Sequence, residues 1–239
     1  MGLHFGESTD IPAPGDFDND GKTDISVFRP SNGYWYRINS SDGTVFFVEF
    51  GLNGDIPQAG DYDGDGLDEP AVFRPSDGTW YWLRSIDNQF AGMQFGQNGD
   101  KPVAGDFDGD QRTDLAVFRG GIWYWFNSSD SSYAAEQFGI DTDQPVEGDY
   151  DGDNRDDLAV FRASEGNWYF HLSGNGQYSG THWGQSGDVP APADYDGDNL
   201  DDVAIFRDGI WYINKTTTGP FGAPFGLAGD KPVAGEYLP

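Results

Sequence analysis

Residues 50–74 read Phe50-Gly51-Leu52-Asn53-Gly54-Asp55-Ile56-Pro57-Gln58-Ala59-Gly60-Asp61-Tyr62-Asp63-Gly64-Asp65-Gly66-Leu67-Asp68-Glu69-Pro70-Ala71-Val72-Phe73-Arg74. An aromatic-glycine pair opens the stretch. An Asp-x-Pro turn, a small-residue segment, a loop dense in carboxylates and an apolar run ending in Phe-Arg follow. Next come the turn Pro75-Ser76-Asp77-Gly78 and the aromatic segment Trp80-Tyr81-Trp82. The whole phrase recurs. Its anchor stands at Phe5-Gly6, Phe50-Gly51, Phe95-Gly96, Phe138-Gly139, Trp183-Gly184 and Phe225-Gly226, at intervals of 45, 45, 43, 45 and 42 residues. A near-constant period of this length marks a repeat architecture, in which each unit buries the apolar face of its neighbour.

Each unit predicts four strands. The small-residue stretch (Gln58-Ala59-Gly60, Val103-Ala104-Gly105) is the first, placed where backbones crowd together. A continuous apolar run such as Leu115-Ala116-Val117-Phe118 is the second, buried on both faces. The Trp-Tyr segment is the third, and stretches such as Val45-Phe46-Phe47-Val48-Glu49 are the fourth. Four-stranded units of about 40–50 residues repeated radially are the blades of a β-propeller. The expected fold is therefore all-β: a five-bladed β-propeller of four-stranded blades, one domain over residues 1–239, with repeats at about 5–49, 50–94, 95–137, 138–182 and 183–224. Residues 225–239 read as a partial sixth repeat or a closing strand, because 225–236 copies 5–16 and a closed ring has room for one copy at its seam. Short-period β-solenoids are disfavoured, since the Gly-Gly-x-Gly-x-Asp nonapeptide is absent.

Composition agrees. Among 239 residues are 35 glycines and 14 prolines, which suit many turns, while 16% aromatic content argues against disorder. With 13 basic and 41 acidic side chains the net charge is −28, a surface that repels nucleic acid and anionic lipid. No apolar run approaches the roughly 20 residues that span a bilayer, so membrane insertion is not expected. Zero cysteines exclude disulfides and thiolate metal sites.

The carboxylate loop carries the chemistry. Acids stand at loop positions one, three, five and nine in every repeat: Asp16, Asp18, Asp20 and Asp24; Asp61, Asp63, Asp65 and Glu69; Asp106, Asp108, Asp110 and Asp114; Asp149, Asp151, Asp153 and Asp157; Asp194, Asp196, Asp198 and Asp202. Calcium takes six to eight oxygens, and alternate carboxylates on a tight loop converge on one point. Backbone carbonyls at position seven, from Lys22, Leu67, Arg112, Arg155 and Leu200, are the expected additional ligands. Position six needs a residue tolerant of positive φ; Gly21, Gly66, Asn154 and Asn199 suit it, and Gln111 suits it poorly. An EF-hand is excluded because position twelve is Phe28, Val72, Val117, Val160 or Ile205 inside an apolar run. A solvated acidic turn is the plainer alternative, disfavoured by mutual repulsion of four carboxylates in nine residues. Five calcium ions per chain are expected, reducing the charge from −28 to −18.

These motifs, Gly60-Asp61-Tyr62-Asp63-Gly64-Asp65-Gly66 above all, resemble the FG-GAP (integrin-α-like, VCBS-type) repeat family, and the resemblance covers essentially the whole chain. It implies a calcium-loaded propeller that is secreted or displayed at the cell surface and that binds instead of catalysing. Five units are fewer than the seven usual for that family, and none of its ligand-binding loops can be matched residue by residue.

The expected function is a calcium-stabilised extracellular binding module for a glycan or glycoprotein, not an enzyme. Tryptophans at Trp35, Trp80, Trp123, Trp168 and Trp211 recur in every repeat and read as inter-blade packing, whereas Trp82 and Trp125 replace Arg37, Phe170 and Ile213 of other repeats and are the ligand candidates. Arg29, Arg74, Arg119, Arg162 and Arg207 read as bidentate partners of nearby carboxylates, tying blade to blade, with an anion-binding ring as the alternative. Asn39-Ser40-Ser41, Asn127-Ser128-Ser129 and Asn214-Lys215-Thr216 have the form of glycosylation sequons, though turn formation explains them equally. A structural propeller in a larger secreted protein is the alternative function. A polysaccharide-active enzyme is a further one, but His4, His171 and His182 share no motif and no acid–base pair stands apart from the loops.

Overall fold

The computed structural model describes residues 4–233. Its twenty strands form five four-stranded antiparallel sheets. Blade 1 holds β1 (Ile11–Pro12), β2 (Ile25–Arg29), β3 (Tyr34–Ile38) and β4 (Val45–Glu49). Blade 2 holds β5 (Ile56–Pro57), β6 (Ala71–Arg74), β7 (Thr79–Leu83) and β8 (Phe90–Gln94). Blade 3 holds β9 (Lys101–Gly105), β10 (Asp114–Arg119), β11 (Ile122–Phe126) and β12 (Tyr133–Gln137). Blade 4 holds β13 (Gln144–Pro145), β14 (Leu158–Arg162), β15 (Asn167–His171) and β16 (Tyr178–His182), and blade 5 holds β17 (Val189–Pro190), β18 (Val203–Arg207), β19 (Ile210–Lys215) and β20 (Gly219–Pro224). Strands stand in chain order within each sheet, so every blade is a meander and the chain is a five-bladed propeller.

The first strands differ from the expected small-residue stretch. Pairing begins at the Asp-x-Pro segment itself (Ile56 with Phe73, Pro57 with Val72), and in four blades the stretch that follows adds only a bridge, such as Gly60 with Glu69. Proline is tolerated because the strand is an edge, where its missing N–H faces no partner. Only β9 runs unbroken to the glycine.

Burial follows the strand order. Ala71, Val72 and Phe73 of β6 are at most 1% exposed, whereas Phe90 of outer β8 is 74% exposed. The recurrent tryptophan closes each blade: Trp80 Nε1 donates to the Phe95 carbonyl at 2.9 Å, and Trp35, Trp123, Trp168 and Trp211 make the equivalent bond. This explains the aromatic-glycine anchor, whose carbonyl is that acceptor. The turn before it requires glycine at Gly78, where φ is +68° and a Cβ would lie 2.3 Å from the Gly96 carbonyl oxygen.

Blades pack face to face. Phe28, Trp35 and Phe50 of blade 1 meet Val72, Tyr81 and Leu83 of blade 2, and the same arrangement joins blades 2–3, 3–4 and 4–5. A backbone hydrogen bond crosses each interface, from Asp68, Thr113, Asp156 and Asp201 N–H to the carbonyls of Asp16, Asp61, Asp106 and Asp149 at 2.8, 2.6, 2.8 and 2.8 Å. Among the described residues no hydrogen bond, ring contact or shared core cluster joins blade 5 to blade 1. Ile25 of blade 1 is accordingly 41% exposed, where its equivalents Leu115, Leu158 and Val203 are 4%, 6% and 8%.

The five arginines do pair with the Asp-x-Pro aspartates. Arg29, Arg74, Arg119, Arg162 and Arg207 each donate through Nε and an Nη to Asp10, Asp55, Asp100, Asp143 and Asp188. Both partners belong to one repeat, so the pairs lock each linker onto its own blade and do not tie blade to blade. At the chain ends the N-terminal copy supplies β1. The C-terminal copy follows β20 and repeats the entry turn, Leu227 N–H donating to Asp230 Oδ2 at 2.8 Å, and residues 234–239 of the partial sixth repeat lie outside the described residues.

Unequal packing of equivalent tryptophans gives a direct test. Trp123→Ala is expected to lower unfolding free energy by about 3–5 kcal/mol, as for other fully buried large aromatics. Trp211→Ala, at the half-buried equivalent in blade 5, should cost clearly less. Chemical denaturation of the two variants measures the difference, and equal losses would count against an uncovered blade 5 face.

Candidate metal centre

Each loop between the first and second strands of a blade is shaped by its first aspartate. Asp61 accepts from Gly64 N–H at 2.6 Å through Oδ1 and from Gly66 N–H at 2.8 Å through Oδ2. These bonds fold the loop back on itself and force positive φ at two positions. Position six is Gly21, Gly66, Gln111, Asn154 or Asn199, with φ of 78°, 87°, 68°, 63° and 65°, so Gln111 adopts the same strained geometry as its equivalents. Position four, which the sequence reading passed over, is Asn19, Gly64, Gly109, Gly152 or Gly197 and also has positive φ. The recurrence of Gly or Asn there was the available signal.

Position nine is the pivot. Asp24, Glu69, Asp114, Asp157 and Asp202 begin the central strands and are at most 1% exposed. One oxygen of each accepts the position-two N–H of its loop, from Phe17, Tyr62, Phe107, Tyr150 or Tyr195, at 2.8–3.1 Å. The other accepts a backbone N–H from the turn between the third and fourth strands, at Ser40, Ser85, Ser128, Ser173 or Thr216. Hydroxyls of that turn reach further into the loop: Ser40 Oγ donates to Asp20 Oδ1 at 2.8 Å and Ser41 Oγ to Asp18 Oδ2 at 2.6 Å. Nothing in the loop itself announced this contact, because its partners lie about 20 residues away. It gives the sequon-like serines and threonines a structural role, and buried Asn39, 8% exposed, has no room for a glycan.

The predicted acids converge in every blade. Carboxylate oxygens of Asp16, Asp18 and Asp24, of Asp106, Asp108 and Asp114, of Asp149, Asp151 and Asp157, and of Asp194, Asp196 and Asp202 lie within 4.8 Å of one another. In blade 2 the group is Asp61, Asp63, Asp65 and Glu69, the one cluster that includes position five. In every blade the position-five aspartate, Asp20, Asp65, Asp110, Asp153 or Asp198, also caps the position-seven N–H of Lys22, Leu67, Arg112, Arg155 or Leu200. Like charges at this spacing repel by roughly 1 kcal/mol per pair in water and about 4 kcal/mol near a protein surface. Burial aggravates the conflict: desolvation pushes Glu69 and Asp114 up to about 7, Asp157 up to about 6, and raises Asp24 and Asp202. A buried Oδ1 of Asp18, Asp63, Asp151 and Asp196 has no hydrogen-bond partner. Orphaned carboxylate oxygens beside two other carboxylates fit a hard cation and no neutral ligand.

Trp82 and Trp125 lie half-buried between blades, Trp82 stacked on Tyr62 at 5.4 Å and Trp125 against Phe107 at 6.2 Å. His171 Nδ1 is 2.7 Å from Glu136, and His182 Nδ1 is 2.8 Å from Asn167 Oδ1.

Comparison with known proteins agrees with this geometry. A lectin from Agrocybe aegerita, solved for its recognition of non-reducing terminal N-acetylglucosamine, superposes with a TM-score of 0.60 at 15% identity over 88% of this chain. The chain spans 64% of that lectin's length. A catalytically inactive virginiamycin B lyase from Staphylococcus aureus, bound to quinupristin, superposes with a TM-score of 0.62 at 10% identity over 97% of this chain and 76% of the lyase. At these identities the likeness is one of fold. No curated protein sequence matches the chain. Residues 16–72 and 149–205 match the FG-GAP-like repeat family, each match running from the first loop aspartate into the buried central strand. The chain is therefore a five-bladed β-propeller that carries FG-GAP-like repeats at residues 16–72 and 149–205.

Proposed function

We propose that this chain is a calcium-stabilised, non-catalytic binding module of a secreted or cell-surface protein, and that it recognises a glycan or glycoprotein. The orphaned position-three oxygens carry the calcium reading. An all-oxygen donor set without cysteine or histidine suits calcium, and Asp16, Asp18 and Asp24 with their equivalents would hold it, joined by the position-seven carbonyls. Bound calcium supplies the positive charge that relieves the carboxylate repulsion. Affinities of about 10⁻⁴–10⁻³ M, usual for extracellular modules, suit a location where calcium is abundant.

Binding is favoured over catalysis because the acids are engaged in loop architecture, while His171 and His182 are engaged by Glu136 and Asn167. Glycan recognition draws support from the rim, where the outermost strands expose aromatic rings at Phe47, Phe90, Tyr133, Tyr178 and Phe221. Repetition around a ring favours polyvalent ligands, for which linked sites gain about 10²–10⁴ in apparent affinity. The Agrocybe aegerita lectin is a precedent for sugar recognition on such a fold.

Native mass spectrometry is expected to count five calcium ions per chain, one for each acidic loop, and six would refute that assignment. Calorimetry should show the melting temperature rising with the logarithm of free calcium and falling in EDTA; no change after verified metal removal would overturn the calcium reading. The pH dependence has a defined sign. Position-nine carboxyls raised above their unfolded values near 4 stabilise the metal-free fold at low pH and cease to do so as pH rises through about 6–7. In EDTA the protein should therefore melt higher at pH 5 than at pH 8, with the calcium increment larger at pH 8. A glycan array should return neutral or cationic ligands in preference to polyanions, and Trp82→Ala with Trp125→Ala should weaken binding without changing calcium content; silence across the array would favour a spacer role.

A further inference from the structure

Behind the central strand of each blade lies one cross-strand pair facing the next blade. In blades 2 to 5 it is Ala71 with Trp82, Ala116 with Trp125, Ala159 with Phe170 and Ala204 with Ile213. A small residue beside a large apolar one fills the space between blades, as Trp82 does in the core shared with Leu115 and Val117 of blade 3 and Phe170 in the core shared with Val203 and Ile205 of blade 5. Blade 1 breaks the rule at both positions: Ser26 stands opposite Arg37.

The plug is therefore missing between blades 1 and 2, and a cavity of about 390 Å³ opens there, lined by Ser26, Arg37, Phe46, Phe47, Leu83 and Arg84 among others. Two polar atoms in its wall have no hydrogen-bond partner among the described residues: Ser26 Oγ, on a side chain 96% buried given its residue's 4% exposure, and Arg37 Nε. Each such orphan is costly to bury, and paired apolar residues at the same positions avoid that cost in four other blades. Arg37 is held in place, its guanidinium lying 5.2 Å from the Phe17 ring centroid and 4.9 Å from that of Phe46. Phe46, 45% exposed, forms an apolar lip at the mouth.

We propose that this cavity binds a small organic carboxylate carried on a ring-sized body. A carboxylate satisfies the Arg37 Nε–H by a charge-assisted hydrogen bond and accepts from the Ser26 hydroxyl, while Phe46, on the same face of the blade as Arg37, covers the face of the ring. The volume lies within the range of about 300–1,000 Å³ common for small-molecule sites. Arg84 and Asp68 line the same cavity, but Arg84 lies 3.3 Å from Asp87, so Arg37, which makes no ion pair among the described residues, is the cation left for a ligand. The carboxylate could arrive on a free ring acid or on a terminal uronic acid of a glycan, and the site stands whether or not the rim binds neutral glycans.

Isothermal titration of the calcium-loaded protein with benzoate, glucuronate and glucose tests the proposal. Benzoate or glucuronate should bind and glucose should not; benzoate alone identifies a free acid, glucuronate alone an acidic sugar, and both together a site that reads the carboxylate. Arg37→Trp combined with Ser26→Ala, which installs the blade 2 pair, should weaken binding at least about tenfold with calcium content and melting temperature retained. Ser26→Ala alone should weaken it less and serves where the double variant misfolds. Absence of binding by both carboxylates at millimolar concentration, or undiminished binding by a folded double variant, would overturn it.

Discussion

The buried carboxylate at loop position nine holds each blade together. It starts the central strand, bridges to the first strand, accepts the N–H that turns the acidic loop, and accepts a second N–H from the hairpin between the third and fourth strands. All four parts of a blade thus meet at one side chain that is almost wholly removed from water. Such a group is costly to keep charged and costly to leave unpaired, which explains why its surroundings are saturated with N–H donors on one side and with further carboxylates on the other. The cation reading follows from that conflict more than from the count of aspartates.

Interfaces between blades depend on the same hub at one remove. Because the loop is fixed, its first residue presents a carbonyl to the following blade, and the aromatic at position two enters the inter-blade core, as Phe17 does by meeting Trp35 edge to face. Acidic loops and the hydrophobic core are therefore neighbouring layers of one construction, and disturbance of the first is transmitted to the second through a single residue step.

Much of this was legible in the sequence because the repeat supplies its own internal comparison. The anchor spacing, the doubly buried run and the position one, three and nine acids each appear five times, so a period measured once places every blade. Arg74 and Asp55 could be matched as a pair from recurrence, but not assigned to the same repeat, because linker and blade are indistinguishable in a linear pattern. The turn serines were hidden by their distance from the loop they serve, and the half-burial of Trp82 depends on a neighbouring blade that the linear pattern does not display. Ser26 and Arg37 are visible as departures from the template, yet only the three-dimensional register reveals that the two departures face each other.

Strand order within the blades also shapes how the chain can fold. Every sheet is completed by consecutive segments, and no described strand is exchanged between the first and last blades. Loop closure is therefore short-range throughout, which lowers the entropic barrier relative to β folds that pair distant strands. A blade can form as soon as its own residues are available, and each finished blade offers its apolar face as a template for the next, so folding spreads as in a linear array of coupled units. Blades with two neighbours are held from both sides, while blades 1 and 5 have one described partner each. Local opening should then begin at these two ends and move inward, leaving the slowest amide exchange in the central strands of blades 2 to 4.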